Sequence, residues 1–354
     1  MNIDLQKFEP VVIYKKESNL VEKLKKKGIQ CIIFGKEEKK NVAKQVIKKE
    51  IITQKNSRVR NILSSIKLLI KSLPEALKII KVIHKFDIEI LHLNHNLNGD
   101  RAGIIAGILT KKKIISHHRG LYKPVLIDIM LSKYIDKIIC ISDYVKTEYV
   151  QNGIDGKKCL TVYNGVDTSF FKPLENNSEE IVIGCIGRLE HWKGQQVLIE
   201  AIPAIIKNFP KAKFQFIGNG SNKANLILLA NKFDVKDSIE FVGSVNNVKD
   251  YIKDFTIAVH SSVEPEPFGR VLIEAMAMGK VVISTNIGGP KEIIENNVDG
   301  YLLEPNQPQV LAEKIIQLLQ DKYLRKNIEI KAREKVVNYF DSNKTSLYIQ
   351  KLYT

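Results

Sequence analysis

The chain has 354 residues, 27% charged and 44% hydrophobic, an ordinary balance for a folded soluble protein and too long for one typical core. No apolar run approaches the roughly 18 residues that a membrane span requires. The opening residues, with Asp4, Lys7 and Glu9, do not resemble a secretory signal, so a cytoplasmic protein without membrane-spanning helices is expected. The net charge of +16 is unevenly placed: residues 1–150 hold 30 Lys+Arg against 15 Asp+Glu, and residues 151–354 hold 25 against 24. Codon bias toward lysine would not spare the second half. The asymmetry therefore points to an anionic partner for the first half: nucleic acid, a phospholipid surface or a diphosphate-bearing substrate. Cys31, Cys140, Cys159 and Cys185 are scattered without a C-x-x-C pair and read as buried thiols, with no disulfide and no metal.

Short β-branched runs predict strands over 11–14, 31–34, 88–93, 113–116 and 137–141, alternating with helical patterns over 20–27, 58–86 (interrupted by Pro74), 100–109 and 144–152, the last stopped by Gly153. The segment 169–180 breaks the periodicity and predicts a linker. A second series follows, with strands over 181–186, 213–217, 240–242, 257–260 and 281–284 and helices over 195–208, 223–233, 269–278 and 309–320. The pattern predicts an α/β chain of two doubly wound Rossmann-like domains, over 1–168 and 181–336. A final stretch, 337–354, carries a helix over 342–352 that is expected to pack back across the first domain. One feature of a doubly wound opening is missing: the strand over 11–14 leads to Lys15-Lys-Glu-Ser-Asn, with no glycine before Gly28.

The densest group of chemical residues runs from Ser262 through Glu264, Glu266, Pro267, Phe268, Gly269, Arg270 and Val271 to Glu274. Glu266 falls in a loop before a helix N-terminus and Glu274 about one and a half turns inside it, so the two carboxylates address different parts of one extended ligand. The first helical N–H groups, at Gly269, Arg270 and Val271, offer a phosphate seat. A second group, Gly187-Arg-Leu-Glu-His-Trp-Lys193, leaves the carboxyl end of a strand, where open α/β sheets bind ligands. There Arg188 and Lys193 suit a diphosphate clamp. Gly218-Asn-Gly220 forms a strand-to-turn step that admits close approach to a planar base. In the first half, a strand leads into His117 and His118 before Arg119-Gly120.

The order of these motifs, Gly-Arg-Leu-x3-Lys-Gly, Gly-x-Gly, Glu-Pro-Phe-Gly-x4-Glu-Ala-Met-Ala-x-Gly-Lys and Gly288-Gly-Pro-Lys-Glu-Ile-Ile294, resembles the donor domain of the family 4 (group 1), GT-B fold, retaining glycosyltransferases. Glu266 and Glu274 meet that family's Glu-x7-Glu pattern. The resemblance implies two domains facing across a cleft and a nucleotide-sugar donor, UDP- or GDP-linked, with no further cofactor. It also implies that Arg188 and Lys193 hold the diphosphate, that Glu266 and the backbone from Gly269 to Val271 meet the sugar and its phosphate, that Glu274 holds the ribose and that His118 faces the donor sugar. Gly187, Gly218, Gly220, Phe268 and Arg270 complete the expected contacts.

No D-x-D sequence stands at a strand end, so transfer without a metal is expected. The expected acceptor is lipid-linked or saccharide, in lipopolysaccharide, capsule or other surface polysaccharide synthesis. The basic amphipathic stretch with Arg58, Arg60, Lys67 and Lys71 suits peripheral binding to an anionic membrane on its inner face. The family normally opens with a strand, a Gly-rich loop and a helix. Here residues 1–5 resemble the end of that helix and 8–14 the second strand, so about 35 residues are missing from the pattern. Either the start is internal to a longer reading frame or the product is truncated. The competing readings are a catalytically inactive module that binds nucleotide sugar or membrane, a nucleotide-sugar epimerase, and a nucleic-acid binder. The Glu-Pro-Phe-Gly-x4-Glu pattern argues against the epimerase, and the scarcity of aromatics among the basic residues argues against nucleic acid.

Overall fold

The computed structural model describes residues 3–35, 57–174 and 179–354. Two compact units emerge, one of residues 1–139 and 148–160 with Tyr353, the other of 140–147 and 161–352 with Thr354. Both are α/β with parallel sheets, as the alternation of apolar runs and amphipathic stretches predicts.

In the first unit β1 (Val11–Tyr14) pairs in parallel with β2 (Gln30–Ile33), and α1 (Asn19–Lys26) makes the crossover. Ser18 caps α1 by accepting the Val21 N–H at 3.4 Å. The chain continues through α2 (Ser57–Lys85), β3 (Ile90–Leu93), α3 (Leu97–Thr110), β4 (Lys113–His118), α4 (Leu126–Ser132), β5 (Lys137–Cys140), α5 (Asp143–Gln151), whose first five residues fall in the second unit, and β6 (Cys159–Thr161), giving the sheet order β3-β4-β5-β6. Among the described residues no strand joins the β1–β2 pair to this sheet, so the strand alternation of the first half builds two parallel sheets. Helices α3 and α4 are tied by a buried ion pair: Arg101 Nε and Nη2 reach the two carboxylate oxygens of Asp128 at 2.6 and 3.0 Å. Tyr122 donates its hydroxyl to Asp128 Oδ2 at 2.9 Å, so the fully buried carboxylate has its charge and lone pairs satisfied.

The second unit runs β7 (Val182–Ile186), α6 (Gln195–Asn208), β8 (Lys213–Ile217), α7 (Lys223–Lys232), β9 (Ile239–Gly243), α8 (Lys249–Ile252), β10 (Ile257–His260), α9 (Arg270–Ala277), β11 (Val281–Thr285), α10 (Pro290–Ile293), β12 (Tyr301–Leu303), α11 (Pro308–Gln320), α12 (Lys322–Tyr339) and α13 (Ser342–Lys351). Its six strands lie in the order β12-β11-β10-β7-β8-β9. The chain winds outward from β7 to β9 and then returns to β10 on the other side of β7. The sheet therefore changes direction between β7 and β10, the place where such sheets open a crevice at their carboxyl ends. Strands β7, β10 and β11 are buried along almost their whole length, which is why they read as near-continuous apolar runs. Ile183, Phe214, Phe216, Val281 and Ile315 sit in the core between the sheet and its helices.

Several expectations are corrected. Pro74 does not interrupt α2, which runs unbroken through it. The carbonyl that loses its partner there belongs to Ile70, an exposed residue, so the turn that loses the bond lies on the solvent side of the helix. Strand β4 extends past Ser116 to include His117 and His118, so the histidines belong to the strand and are buried. The sequence suggests a helix end over residues 1–5; of these, the described residues 3 and 4 are not helical and Leu5 begins a turn over 5–7, closed by the Phe8 N–H on the Asp4 carbonyl at 3.0 Å. Helices α4, α8, α10 and α12 and strands β6 and β12 are additions. In α12 only Ile328, Ala332 and Val336 are buried, a narrow i, i+4, i+8 stripe in an otherwise polar sequence. The side chains of Arg58 and Arg60, and residues 175–178 of the expected linker, lie outside the described residues. Of the four cysteines, Cys140, Cys159 and Cys185 are buried and none is in a disulfide, with burial pushing the Cys185 thiol up to about 12.

Candidate functional site

The site is assembled at the carboxyl ends of β7, β8, β10 and β11. Beyond β7 the chain places Gly187 and the exposed Arg188, then Trp192 and Lys193. The Arg188 guanidinium lies 5.5 Å and the Lys193 ammonium 4.5 Å from the Trp192 ring, so the indole lies against both cations. Gln195, buried at the start of α6, donates to the Arg188 carbonyl at 2.9 Å and fixes the loop.

Beyond β8 the two glycines expected to approach a base instead admit a neighbouring loop. A Cβ on Gly218, whose φ is +138, would stand 2.0 Å from the Gly187 carbonyl oxygen, and one on Gly220 would stand 2.1 Å from that of Leu189. The loops after β7 and β8 are laced together by Gly187 N–H on Ile217 and Leu189 N–H on Asn219, at 2.9 and 3.0 Å. The glycines thereby set the backbone that carries Arg188.

Beyond β10 lies the centre of the arrangement. Lys193 Nζ donates to Glu266 Oε2 at 2.5 Å, joining the two sides of the β7/β10 switch point. The same oxygen receives His260 Nε2 at 2.6 Å and the Ser262 hydroxyl at 3.1 Å. His260 ends β10, and its Nδ1 is 3.0 Å from the hydroxyl of Ser284, its register partner on β11. Burial alone would raise the Glu266 carboxyl, but the attraction and hydrogen bonds of His260 and then Lys193 outweigh it and hold the group well below the usual carboxylate range. Glu266 is therefore ionised in a pocket with only 14% of its side chain exposed. Its backbone is pinned as well, because Gly289 donates to the Glu266 carbonyl at 2.8 Å.

Gly269, with φ +104, turns the chain into α9, and the N–H groups of Arg270 and Val271 are the first of that helix, with no acceptor inside it. Glu274, one turn on, is buried, and burial raises its carboxyl despite a 3.1 Å bond from the exposed Arg270. Phe268 is not available as a contacting side chain. Its ring is buried and packed against Tyr163 and Phe340, each with centroids 6.0 Å away.

His118 belongs to the other unit and is fully buried there. Its Nε2 is 3.0 Å from the Ser116 hydroxyl, which donates to Asp100 Oδ2 at 2.8 Å, and its ring lies against Tyr149 at a 40° tilt with centroids 4.3 Å apart. Burial lowers His118 to about 4 and raises Asp100 to about 7. Neither ring nitrogen of the adjacent His117 has a hydrogen-bond partner among the described residues.

The structure thus brings Lys193 together with Glu266, and sets Gly269, Arg270, Val271 and Glu274 on the helix that follows. Sequence reasoning missed His260 and Ser284, and named Ser262 and Trp192 within its motifs without giving them a role. The available signal was His260-Ser-Ser262 at a strand's carboxyl edge, with Ser262 two residues beyond its strand as Arg188 is beyond β7.

Comparison with known proteins finds glycosyltransferases for both halves of the sequence. The model of "Glycosyl transferases group 1" matches residues 166–335, and that of "Glycosyltransferase Family 4" matches residues 18–170. An uncharacterized glycosyltransferase of Methanocaldococcus jannaschii is 33% identical over 224 residues, covering 62% of this chain and 59% of that one. The chain spans about half the length of the curated relatives it matches. Among solved structures, a glycosyltransferase from Rickettsia africae superposes with a TM-score of 0.78 at 25% identity, covering 99% of this chain and 90% of the other. HepE of Anabaena, solved in complex with UDP, has the same fold with a TM-score of 0.78 at 20% identity, over 97% and 91% of the two chains. No helix among the described residues is long and apolar enough to cross a membrane. The two family models overlap over residues 166–170 and together take in the motifs that build the site, so the chain is similar in sequence to the group 1 and family 4 glycosyltransferases and in fold to a solved glycosyltransferase.

Proposed function

We propose that the protein transfers a sugar from a nucleoside diphosphate sugar to a saccharide or lipid-linked acceptor, with retention of anomeric configuration and without a metal or further cofactor, in the synthesis of a surface polysaccharide such as lipopolysaccharide or capsule. The observation that carries this reading is the Lys193–Glu266 pair across the switch point, beside the start of α9. Breaking the bond from the anomeric carbon to the diphosphate leaves negative charge on phosphate and oxocarbenium character on the sugar. Arg188, Lys193 and the N–H groups of Arg270 and Val271 are suited to the first, and the ionised Glu266 to the second. Glu274, deeper on the helix, is suited to accept the ribose hydroxyls. The acceptor oxygen forms the new bond on the face that the diphosphate leaves, and its proton passes to the departing phosphate oxygen. Gly187, Gly218 and Gly220 serve by shaping the loops. The relative solved with UDP supports a uridine donor as the first to test. With a competent acceptor, chelator-treated protein is expected to give product whose anomeric proton coupling matches that of the donor. An inverted product, or transfer abolished by the chelator and restored by a divalent cation, would refute this mechanism.

We further propose that the first unit binds an anionic membrane through α2. Ile62, Leu63, Ile66, Ile70, Leu73 and Leu77 are exposed along one side of the helix, and the exposed Lys67, Lys71, Lys78 and Lys81 accompany them. Apolar side chains interleaved with lysines in the half of the chain that holds the excess positive charge suit a lipid headgroup layer. The protein is expected to sediment with phosphatidylglycerol vesicles, several-fold less when salt rises from about 0.05 to about 0.5 M, and not with neutral vesicles. Equal binding to both vesicle types would contradict the electrostatic part, and no binding to either would remove the proposal. The rival reading, a chain that binds nucleotide sugar yet transfers nothing, predicts binding without turnover in the same preparations.

A further inference from the structure

Glu266 spends one oxygen, Oε2, on three donors: Lys193, His260 and Ser262. If the site takes a nucleotide sugar, as proposed above, the diphosphate and Glu266 both attract the Lys193 ammonium. A lysine on a flexible stem shifts toward the stronger anion, and its 2.5 Å bond to Glu266 weakens as it does so. A carboxylate with 14% of its side chain exposed would then swing after the lysine or take up a proton, unless another group held it.

His260 is built to be that group. It is 3% exposed, is the last residue of β10 and pairs in register with Ser284 on the neighbouring strand. Its ring has a partner on each nitrogen, Ser284 at 3.0 Å on Nδ1 and Glu266 at 2.6 Å on Nε2. The Nε2 proton can be assigned. An ionised carboxylate only accepts, so Nε2 carries a hydrogen and donates it to Oε2, while Nδ1 faces the Ser284 hydroxyl, which can accept from or donate to it. The strand pair thus fixes the ring, and the ring fixes one oxygen of Glu266. We propose that His260 is a positioning residue for Glu266: its Nε2–H anchors Oε2 through the exchange of Lys193 onto the diphosphate, so that Oε1 is the oxygen presented to the donor sugar.

The test separates the sugar from the nucleotide. UDP and UDP-glucose, and GDP and GDP-mannose, are titrated calorimetrically into the wild type, His260→Ala and His260→Gln. His260→Ala is expected to hold the nucleoside diphosphate within about twofold of wild type and to bind the nucleotide sugar about tenfold more weakly. His260→Gln, whose amide N–H can stand in for Nε2–H, is expected to recover most of that loss. Nitrogen NMR of the histidine rings supplies the second arm: His260 is expected as the Nε2–H tautomer with a proton protected from exchange, the protection being lost in Glu266→Ala. An Nδ1–H tautomer in the wild type, equal weakening of UDP and UDP-glucose by His260→Ala, or unchanged sugar affinity would each overturn the assignment. If the wild type bound none of the four probes, the donor reading would fail and take this role with it, whereas the nitrogen spectrum would still report the His260–Glu266 bond. The two failures are therefore distinguishable.

Discussion

Lys193→Ala is expected to lower sugar transfer by roughly 10² to 10³, the usual cost of removing one preplaced charge from a site where charge develops. The lysine stands 2.5 Å from Glu266 in the resting protein and is placed to meet the departing phosphate during reaction, so both partners lose by its removal. The variant also leaves a nearly buried carboxylate with His260 and Ser262 alone, which costs about 3 kcal/mol of stability. Single-turnover release of nucleotide measures the first effect and denaturant unfolding the second. Because its partners depress the Glu266 carboxyl below the ordinary glutamate value of 4.5, the stability it confers is complete above that pH and is lost as the pH falls below it. In Lys193→Ala that acid-side loss is expected to be smaller. A variant with wild-type turnover would remove Lys193 from the reaction.

Glu274→Ala is expected to weaken nucleotide binding about a hundredfold or more, since two ribose hydroxyls would lose a buried carboxylate acceptor. Glu274 already sits buried in α9 with its carboxyl raised by burial and a single bond from Arg270. It is costly to keep there, and a ligand hydroxyl is the partner that such an acceptor lacks. Removing it should leave the protein at least as stable as before. Equilibrium dialysis with radiolabelled UDP and GDP measures the affinity, and thermal unfolding the stability. Unchanged affinity in a folded Glu274→Ala would detach the Glu-x7-Glu spacing from ribose binding.

Much of the second unit was legible in the sequence because its strands are buried on both faces and its helices are amphipathic. Lys213–Ile217, Ile257–His260 and Gln195–Asn208 fall where the periodicity places them. What escaped was of two kinds. Short or nearly polar elements, such as β6, β12 and α12, bury too few side chains to leave a pattern. The network around Glu266 escaped for a different reason. It joins residues from β10, β11 and the loop after β7, and only the strand order puts them side by side. A histidine at position 260 carries no local sign that its ring bridges Ser284 and Glu266. The glycines after β8 were recognised as special, but their reason is the approach of the Gly187–Leu189 loop, which depends on the β7–β8 pairing. Pro74 was misjudged because a proline inside a long exposed helix loses only a bond that water can replace.

The account rests on the second unit's being a nucleotide-sugar site, and the most direct measurement is calorimetric titration of the whole protein, in chelator, with UDP, GDP and ADP and then with their sugar conjugates. One nucleotide series is expected to bind at a single site, with heat that disappears in Glu274→Ala. A folded protein that gives no binding heat with any of them would contradict the claim and leave the Lys193–Glu266–His260 cluster as a structural ion-pair network.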